Sequence, residues 1–242
     1  MSNIGALFFH NKRHNESLKL LLTAVFPLFT ILALGIDSVA IASCYFDGRM
    51  LTNGLAIVYF GFFFYASPSY LRQLMFCMVF LSYLGELLFC TLLGMYHYRT
   101  ELIPLYVPFG HAIVYASGYV LAETTLVVKN EWLLKKIVPI GFALLFLMVG
   151  LLLKDLFSIV FGLLFFVLMK RKKGALLYYS IALCVIFIEL VGTYFKCWTW
   201  VPKTFNLIPA ANPPMGAVFF YAGGDVILVK IVHLWKPNVQ SS

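Results

Sequence analysis

The chain has 242 residues, of which 62% are apolar and only 12% are charged, and its mean hydropathy is +0.91. A soluble domain has about a quarter of its residues charged, so this composition excludes an ordinary soluble protein and predicts an integral membrane protein. The formal net charge is +8, but the basic residues lie in short stretches between apolar segments. That arrangement indicates membrane topology and not nucleic-acid binding.

Apolar segments of about 20 residues are long enough to cross a bilayer. The sequence predicts eight such segments, at 18–43, 51–67, 71–94, 108–128, 133–153, 155–169, 175–195 and 214–234. The second and sixth are short. Only Lys154 and Asp155 separate the fifth from the sixth, which is typical of either a tight turn or a break within one re-entrant segment. No cleavable signal peptide is predicted, since basic residues precede a long span without a small-residue cleavage site.

The distribution of Lys and Arg predicts the orientation of these segments. If the N-terminus is cytoplasmic and eight segments alternate, thirteen of the 18 basic residues lie on the cytoplasmic side and five on the other, as the positive-inside rule requires. The basic cluster at 170–173 is the strongest anchor. We therefore expect an all-α, polytopic helix bundle that forms one domain over 1–242. We expect it to lie in a bacterial inner membrane with both termini on the cytoplasmic side.

A block of sequence occurs twice, about a hundred residues apart. Each copy has an acid within an apolar segment, then an aromatic pair, a basic residue, Leu-Ile-Pro, and a Pro-x-Gly before the next segment. The first copy comprises Glu86, 96–104, 108–110 and 115–118, and the second comprises Glu189, 198–209, 214–216 and 221–224. Such self-similarity predicts a duplicated supersecondary unit.

The duplicated unit covers the third and fourth segments and again the seventh and eighth. Because four crossings separate the copies, they share one orientation, and the implied two-fold axis lies along the membrane normal. Both aromatic–proline loops then fall on the outer side. We expect repeat halves of approximately 18–128 and 133–234.

The buried acids are the main candidates for chemistry. Placing an ionised carboxylate in hydrocarbon costs about 2.5 kcal/mol or more, so Glu86 and Glu189 must be paired, protonated or turned toward the bundle interior. For each glutamate the sequence predicts either a general acid, or a proton or cation site, between the copies, or a structural hydrogen bond between helices. Asp225 follows two glycines that allow close approach of a helix or substrate. Asp37 is a further buried acid. Asp37 and Asp225 each need a partner, such as Lys230 or a tyrosine hydroxyl.

Other residues of the duplicated block are candidates for proton transfer and substrate binding. His111, at the start of the fourth segment, has a side chain that can shuttle protons near neutral pH. Aromatic and basic residues at a membrane boundary are typical of an interfacial belt, but their duplicated spacing also predicts the mouth of a cavity. The candidate binding residues are Tyr96, His97, Tyr98, Arg99, Tyr115, Trp198, Trp200, Lys203 and Tyr221.

The stretch Gly94-Met95-Tyr96-His97-Tyr98-Arg99-Thr100, with a glutamate upstream and a proline-rich entry to the next helix, resembles a motif of the carotenoid hydratase family. Those polytopic proteins add water across terminal double bonds of acyclic carotenoids. The resemblance covers about 40 of the 242 residues. It implies a strong acid that protonates an alkene, an apolar cavity, and aromatic faces that stabilise a cation. Glu86, Glu189 and Asp225 are the candidate acids.

We therefore expect a membrane enzyme that acts on a lipid or isoprenoid by acid–base chemistry, with membrane lipids and a hydrophobic small molecule as its partners. A proton- or cation-coupled transporter that uses the same acids is the main alternative, and a membrane scaffold is a third. The sequence leaves the oligomeric state open. No residue set has metal-ligand spacing, and nucleotide-binding motifs are absent, so we expect neither a metal nor another cofactor.

Overall fold

A computed structural model describes residues 3–100, 102–170 and 174–235 of the chain, and it is mostly helical. The basic residues at 171–173 and Lys236, which contribute to the predicted orientation, lie outside the described residues. The elements in chain order are α1 Asn3–Ile36, α2 Val39–Cys44, α3 Arg49–Ala66, α4 Ser69–Glu86, a π-helical segment Leu87–Leu92, β1 Tyr96–Tyr98, α5 Tyr106–Glu123, α6 Thr125–Lys129, α7 Glu131–Leu152, α8 Leu156–Lys170, α9 Ala175–Tyr194, β2 Trp198–Trp200, β3 Lys203–Thr204, β4 Ile208–Pro209, a 3₁₀ turn Met215–Ala217 and α10 Val218–Trp235.

Each of the eight apolar segments is helical, but they differ in length and hydropathy. Five helical stretches of the described chain are long and apolar enough to cross a membrane: Ser17–Cys44, Ser69–Leu92, Glu131–Leu152, Ala175–Tyr194 and Met215–Leu234. Helix α8 has 15 residues, which is about 22 Å at the usual helical rise. The five long helices are consistent with a membrane protein.

Helix α7 has the surface that a membrane requires. Its large side chains Ile140, Leu144, Leu147 and Leu151 are 49–69% exposed, and they recur every third or fourth residue. Contiguous exposed apolar surface of this kind is uncommon on soluble monomers. This face is suited to contact lipid.

Helix α5 lies at the centre of the bundle and packs against α1, α3, α4 and α9. Its closest approach is to α9, where a Cβ added to Gly118 would lie 2.5 Å from the Cα of Ile181. Glycine is required there because any side chain would separate the two helices. Since protein surrounds α5, its polar side chains can find partners without facing lipid.

Helices α7 and α8 form an antiparallel hairpin joined by a tight turn at Lys154 and Asp155. Gly150 faces Ile159, and Phe146 faces Gly162, so the contacts run in opposite directions along the two helices. Asp155 begins α8 by accepting hydrogen bonds from the Ser158 backbone N–H at 2.9 Å and its hydroxyl at 2.6 Å. The Ser158 hydroxyl in turn accepts from the N–H of Gly216 at 3.0 Å, which ties α8 to the start of α10.

The two aromatic loops pair with each other as an antiparallel ribbon. Strand β1 follows α4 and its π-helical segment, β2 follows α9, and Tyr96 lies opposite Trp200 while Tyr98 lies opposite Trp198. The ribbon extends by one hydrogen bond at each end, from Arg99 N–H to the Cys197 carbonyl and from Val201 N–H to the Met95 carbonyl. Two chain segments about a hundred residues apart are therefore joined directly above the helices that carry the acids.

Candidate active site

Glu86 is buried at the end of α4 and has three side-chain hydrogen-bond partners, two of which are tyrosine donors. The hydroxyls of Tyr96 and Tyr98, both on β1, donate to Oε2 at 2.8 and 2.7 Å. His111 Nε2, on α5, lies 3.0 Å from Oε1. This carboxyl is therefore surrounded by groups that stabilise its charged form.

Glu189 is buried in α9 and has a matching environment. The indole N–H groups of Trp198 and Trp200, both on β2, donate to Oε2 at 2.9 and 3.1 Å. The Tyr221 hydroxyl, on α10, donates to Oε1 at 2.8 Å. An indole N–H can only donate, so these contacts require Glu189 to accept.

The ribbon and the helices bring the two carboxyl environments together. The rings of Tyr96 and Trp200, one from each strand, have centroids 4.8 Å apart. The rings of His111 and Tyr221, the third partner of each carboxyl, are stacked with centroids 5.1 Å apart. Both glutamates line the same two cavities. They thus belong to a single site.

The π-helical segment after Glu86 accounts for a difference in spacing between the two carboxyls and their strands. Glu86 precedes its first aromatic partner by 10 residues, whereas Glu189 precedes Trp198 by 9. A π turn takes up one more residue than an α turn and is frequent at functional sites. The segment Leu87–Leu92 therefore accommodates the extra residue and lets β1 reach Glu86 as β2 reaches Glu189.

Each strand begins two residues after a position with left-handed backbone, Gly94 before β1 and Lys196 before β2, both with φ of 57°. Such a residue ends a helix and redirects the chain. Gly192 then makes room for the first ring of β2, because a Cβ at that position would collide with Trp198. The left-handed backbone at Lys196 and the absence of a side chain at Gly192 thus position the indole groups that donate to Glu189.

The larger cavity is enclosed by α4, α5, α9 and α10 below the ribbon. The space inside it is about 710 Å³ when the open mouth is counted. Apolar side chains form most of its wall, for example Met78, Leu81, Val114, Ile181 and Phe220. A smaller cavity of about 450 Å³ lies next to it and shares both glutamates, His111 and Tyr221.

Asp225 also lines the larger cavity, but it lacks the donors that surround the glutamates. It lies on α10, one helical turn after Tyr221, and is 3% exposed. Within the described part of the chain, no group makes a hydrogen bond to its buried Oδ2. Tyr115 and Tyr178 are close enough to interact with it electrostatically. A buried carboxyl oxygen without a partner is costly, so it indicates that something outside the protein chain belongs next to it.

Asp37 and Arg99 form a separate network outside both cavities. The Tyr106 hydroxyl donates to Asp37 Oδ2 at 2.8 Å, so a tyrosine hydroxyl, and not Lys230, satisfies this acid. Arg99 Nη2 lies 2.5 Å from Asp37 and 2.6 Å from Asp47. The hydrogen bond from Arg99 holds the pKa of Asp47, in the loop before α3, below its ordinary value. Arg99 thus joins the loop to the bundle and does not face the cavity.

The structure separates the candidate residues into three groups. The cavity walls include Glu86, Tyr96, Tyr98, His111, Tyr115, Glu189, Trp198, Trp200, Tyr221 and Asp225. His97 and Lys203 are exposed instead, and Asp37 and Arg99 form the network described above. Alternation along a strand explains His97, because its neighbours Tyr96 and Tyr98 point to the opposite face.

Sequence reasoning missed Tyr106 and Asn212. Tyr106 lines the smaller cavity while it bonds Asp37. The signal that could have identified Tyr106 was its position five residues before His111, on the same helix. Asn212 accepts from the Trp200 backbone N–H at 3.0 Å and so fixes β2 from outside the site. Nothing in the sequence indicated this contact, since Asn212 lies twelve residues downstream in a loop.

The fold and the site define a helical protein with membrane-length apolar helices and a buried site of three carboxyls. No protein-family model matches the chain, and neither a curated protein nor a solved structure matches it. Its function must therefore be argued from the site.

Proposed function

We propose that this protein is an integral membrane enzyme that acts on a lipid or isoprenoid by acid–base chemistry inside the larger cavity. One observation supports this most directly: Asp225, buried and with an oxygen that no group of the described chain satisfies, borders an apolar space that two hydrogen-bonded glutamates border from the ribbon side. An apolar cavity selects an apolar substrate. An acid inside it can act on a group as weakly basic as an alkene.

The different surroundings of the three acids assign them different roles. Glu86 and Glu189 each have three hydrogen-bond partners, which stabilise a carboxylate. Asp225 has no comparable donors, and it serves as the acid, because a carboxyl in an apolar site is most stable as the protonated form. We assign Asp225 as the proton donor, and Glu86 and Glu189 as the hydrogen-bonded carboxyls that border the same cavity.

The first step is transfer of a proton from Asp225 to one carbon of an alkene. The π electron pair forms the new C–H bond, Asp225 becomes a carboxylate, and the adjacent carbon becomes positively charged. The aromatic faces of Tyr96, Trp200 and Tyr221, which line the cavity, stabilise that charge through their ring quadrupoles. The carboxylates of Glu86 and Glu189 add electrostatic stabilisation.

The reaction ends in one of two ways, each of which restores the proton balance. In a hydration, a water oxygen attacks the cation and gives a proton to a base such as the Glu86–His111 pair. The base returns that proton to solvent, and solvent supplies a new proton to Asp225. In a cyclisation or isomerisation, a neighbouring carbon gives its proton to the same base or back to the Asp225 carboxylate, and no water is consumed. The resemblance of residues 94–100 to the carotenoid hydratases favours hydration.

We further propose that the protein crosses the bacterial inner membrane eight times, with the ribbon on the outer side and both termini in the cytoplasm. In this arrangement the halves 18–128 and 133–234 are related by an axis along the membrane normal. The equivalent surroundings of Glu86 and Glu189 and the pairing of β1 with β2 support this duplication. The larger cavity then lies at the depth of the lipid tails.

Comparative lipid profiling tests the enzyme. Cells that produce isoprenoids should contain a product with wild-type protein that disappears with Asp225→Asn, whose side chain has the same shape but cannot give up the proton. Gly224→Leu should also remove it, since Gly224 lines the cavity and has open space beside it. Gly141→Leu is the matched control, because Gly141 also has open space beside it but is exposed on α7. Equal lipid profiles for wild type and Asp225→Asn would contradict the proposal.

A proton-coupled carrier is the second candidate, and one observation favours it. Titratable side chains on α5 extend from the ribbon side of the bundle to the opposite end, as a path between two aqueous faces would require. Purified protein in vesicles with a trapped pH-sensitive dye tests this under an imposed membrane potential. The enzyme predicts no proton flux above that of empty vesicles, whereas a carrier predicts a flux that Glu189→Gln reduces.

A further inference from the structure

We propose that a row of side chains along α5 carries protons to Asp225 from the end of the bundle opposite the ribbon. This inference rests on the proposed function, in which Asp225 must regain a proton after each reaction. The row consists of Tyr115, Tyr119 and Glu123. The acid is thereby connected to solvent at the end of the bundle opposite the ribbon, and the row meets the substrate cavity only at Tyr115 and Asp225.

The row has the spacing of one helix face. His111, Tyr115, Tyr119 and Glu123 follow one another every fourth residue of α5, and residues four apart on a helix are neighbours. The rings of Tyr115 and Tyr119 have centroids 6.3 Å apart. Tyr119 also interacts with the carboxyl of Glu123 one turn further on. Hydroxyl, hydroxyl and carboxyl thus succeed each other down the helix.

The upper end of the row borders the cavity that the acid also borders. Tyr115 is 2% exposed, lines the larger cavity together with Asp225, and interacts with that residue electrostatically. The next group above it, His111, stacks on Tyr221 and bonds Glu86, so it belongs to the glutamate pair. A proton that arrives from the Tyr119 side therefore leaves the contacts of His111 with Tyr221 and Glu86 intact.

The lower end of the row is open to water. The side chain of Glu123 is 50% exposed and lies 3.8 Å from Lys19 Nζ. Tyr119 and Glu123 line a third cavity, of about 670 Å³, together with Glu131 and Lys135. Water in this cavity can protonate Glu123 directly. A partly exposed carboxyl at such a mouth collects protons from solvent and passes them inward.

Tyrosines on neighbouring helices border the same path. Tyr70 on α4 interacts with both Tyr115 and Tyr119, and Tyr178 on α9 interacts with Tyr115 and Asp225. The ring of His233, on α10, lies 6.2 Å from that of Tyr70. Tyr70 and Tyr178 thus add hydroxyls beside the row, and His233 lies behind Tyr70. The α5 residues lead from the cavity to an exposed carboxyl by consecutive turns of one helix.

Each transfer in the row is a proton hop that leaves no charge behind. Glu123 donates its proton to the Tyr119 oxygen while the Tyr119 hydroxyl proton moves to Tyr115. The Tyr115 hydroxyl proton then reaches the carboxylate of Asp225, and solvent protonates Glu123 again. No bond to carbon changes and no oxidant is needed. One proton enters at Glu123 for each one that Asp225 has given up.

Infrared spectroscopy of the purified protein in lipid nanodiscs tests the row without a substrate. The C=O stretch of protonated Asp225 is identified as the band that Asp225→Asn removes, and its shift after transfer into D₂O gives the exchange rate of the carboxyl proton. We expect Tyr119→Phe and Glu123→Gln to slow this exchange several-fold. Glu123→Asp, which keeps an acid, should largely restore it.

Control variants and alternative outcomes separate the row from the proposed function. Tyr83 lies on α4 and is 46% exposed. Tyr83→Phe removes its hydroxyl and should leave the exchange rate of the Asp225 proton unchanged. If wild-type protein lacks the Asp225 band, the aspartate is ionised and the proposed acid is wrong. If the band is present but Tyr119→Phe and Glu123→Gln exchange at the wild-type rate, the row is wrong. Slower exchange in His111→Gln alone would also overturn it, since the proton would then come from the ribbon side.

Discussion

Three buried carboxyls of this protein differ in their hydrogen-bond donors, and the roles that we propose for them rest on that difference. Glu86 and Glu189 are surrounded by tyrosine, histidine and tryptophan donors. For Asp225, the residues that the structure describes provide no donor to Oδ2. A carboxyl with several donors is stabilised as an anion, whereas one in an apolar wall is stabilised as an acid. Sequence alone could not separate these roles, because all three occur as single acids in apolar segments.

A fourth buried acid, Asp37, allows a test at the scale of one residue. Arg99→Gln should lower the free energy of unfolding by about 3–5 kcal/mol, because it leaves the charge of buried Asp37 uncompensated. Arg49→Gln is the matched control, since Arg49 pairs with the exposed Asp47, at 3.6 Å, and an exposed pair contributes about 0–1 kcal/mol. Titration with a denaturing detergent in mixed micelles measures the free energy of unfolding of both variants. Equal losses for the two variants would contradict the assigned role of Arg99.

At the scale of elements, the ribbon is the contact on which the site depends. Helices α4 and α9 are far apart in sequence, and only the pairing of β1 with β2 brings their aromatic donors into one layer. The extra residue before β1 is taken up by the π-helical segment. The sequence predicted two similar loops at one end of the bundle. It did not predict their pairing, because three-residue strands carry too little periodicity to be recognised.

A cysteine pair tests the register of the ribbon. His97 and Thr199 lie opposite each other and are exposed, and opposite residues of an antiparallel pair have Cβ atoms about 4.5–5.5 Å apart. The double variant His97→Cys with Thr199→Cys should therefore form a disulfide under mild oxidation, detected as a linked peptide by mass spectrometry. His97→Cys with Lys203→Cys should not, since Lys203 belongs to the β3–β4 pair. Equal linkage of both pairs would contradict the register.

At the scale of the whole molecule, the proposed eight crossings determine which loops share an aqueous face. Single cysteines at His97, Lys154 and Lys203 should react with a membrane-impermeant maleimide in intact spheroplasts. A cysteine at Lys129 should react only after the membrane is permeabilised. All four positions are exposed, and the native cysteines are replaced by serine in this series. Labelling of position 154 only after permeabilisation would mean that α7 and α8 do not both cross.

The order and approximate bounds of the helices were predictable because membrane-length apolar runs interrupted by charge and proline are a strong local signal. The predicted segments at 71–94 and 175–195, for example, correspond to Ser69–Leu92 and Ala175–Tyr194. The short connection at Lys154 was recognised as well, but its geometry was open. Asp155 closes a tight turn there by capping α8, which depends on hydrogen bonds that no local pattern specifies.

The sequence by itself determined the membrane-type composition, the helical segments and the residue types of the site, because hydropathy and local spacing are properties of neighbouring residues. Only the tertiary structure decided which of those residues meet. It assigned Arg99 and Asp37 to a network of their own and left His97 and Lys203 exposed, while it joined Glu86 to Glu189 through the ribbon. These outcomes depend on contacts between segments about a hundred residues apart, and packing across such distances is not encoded in any local pattern.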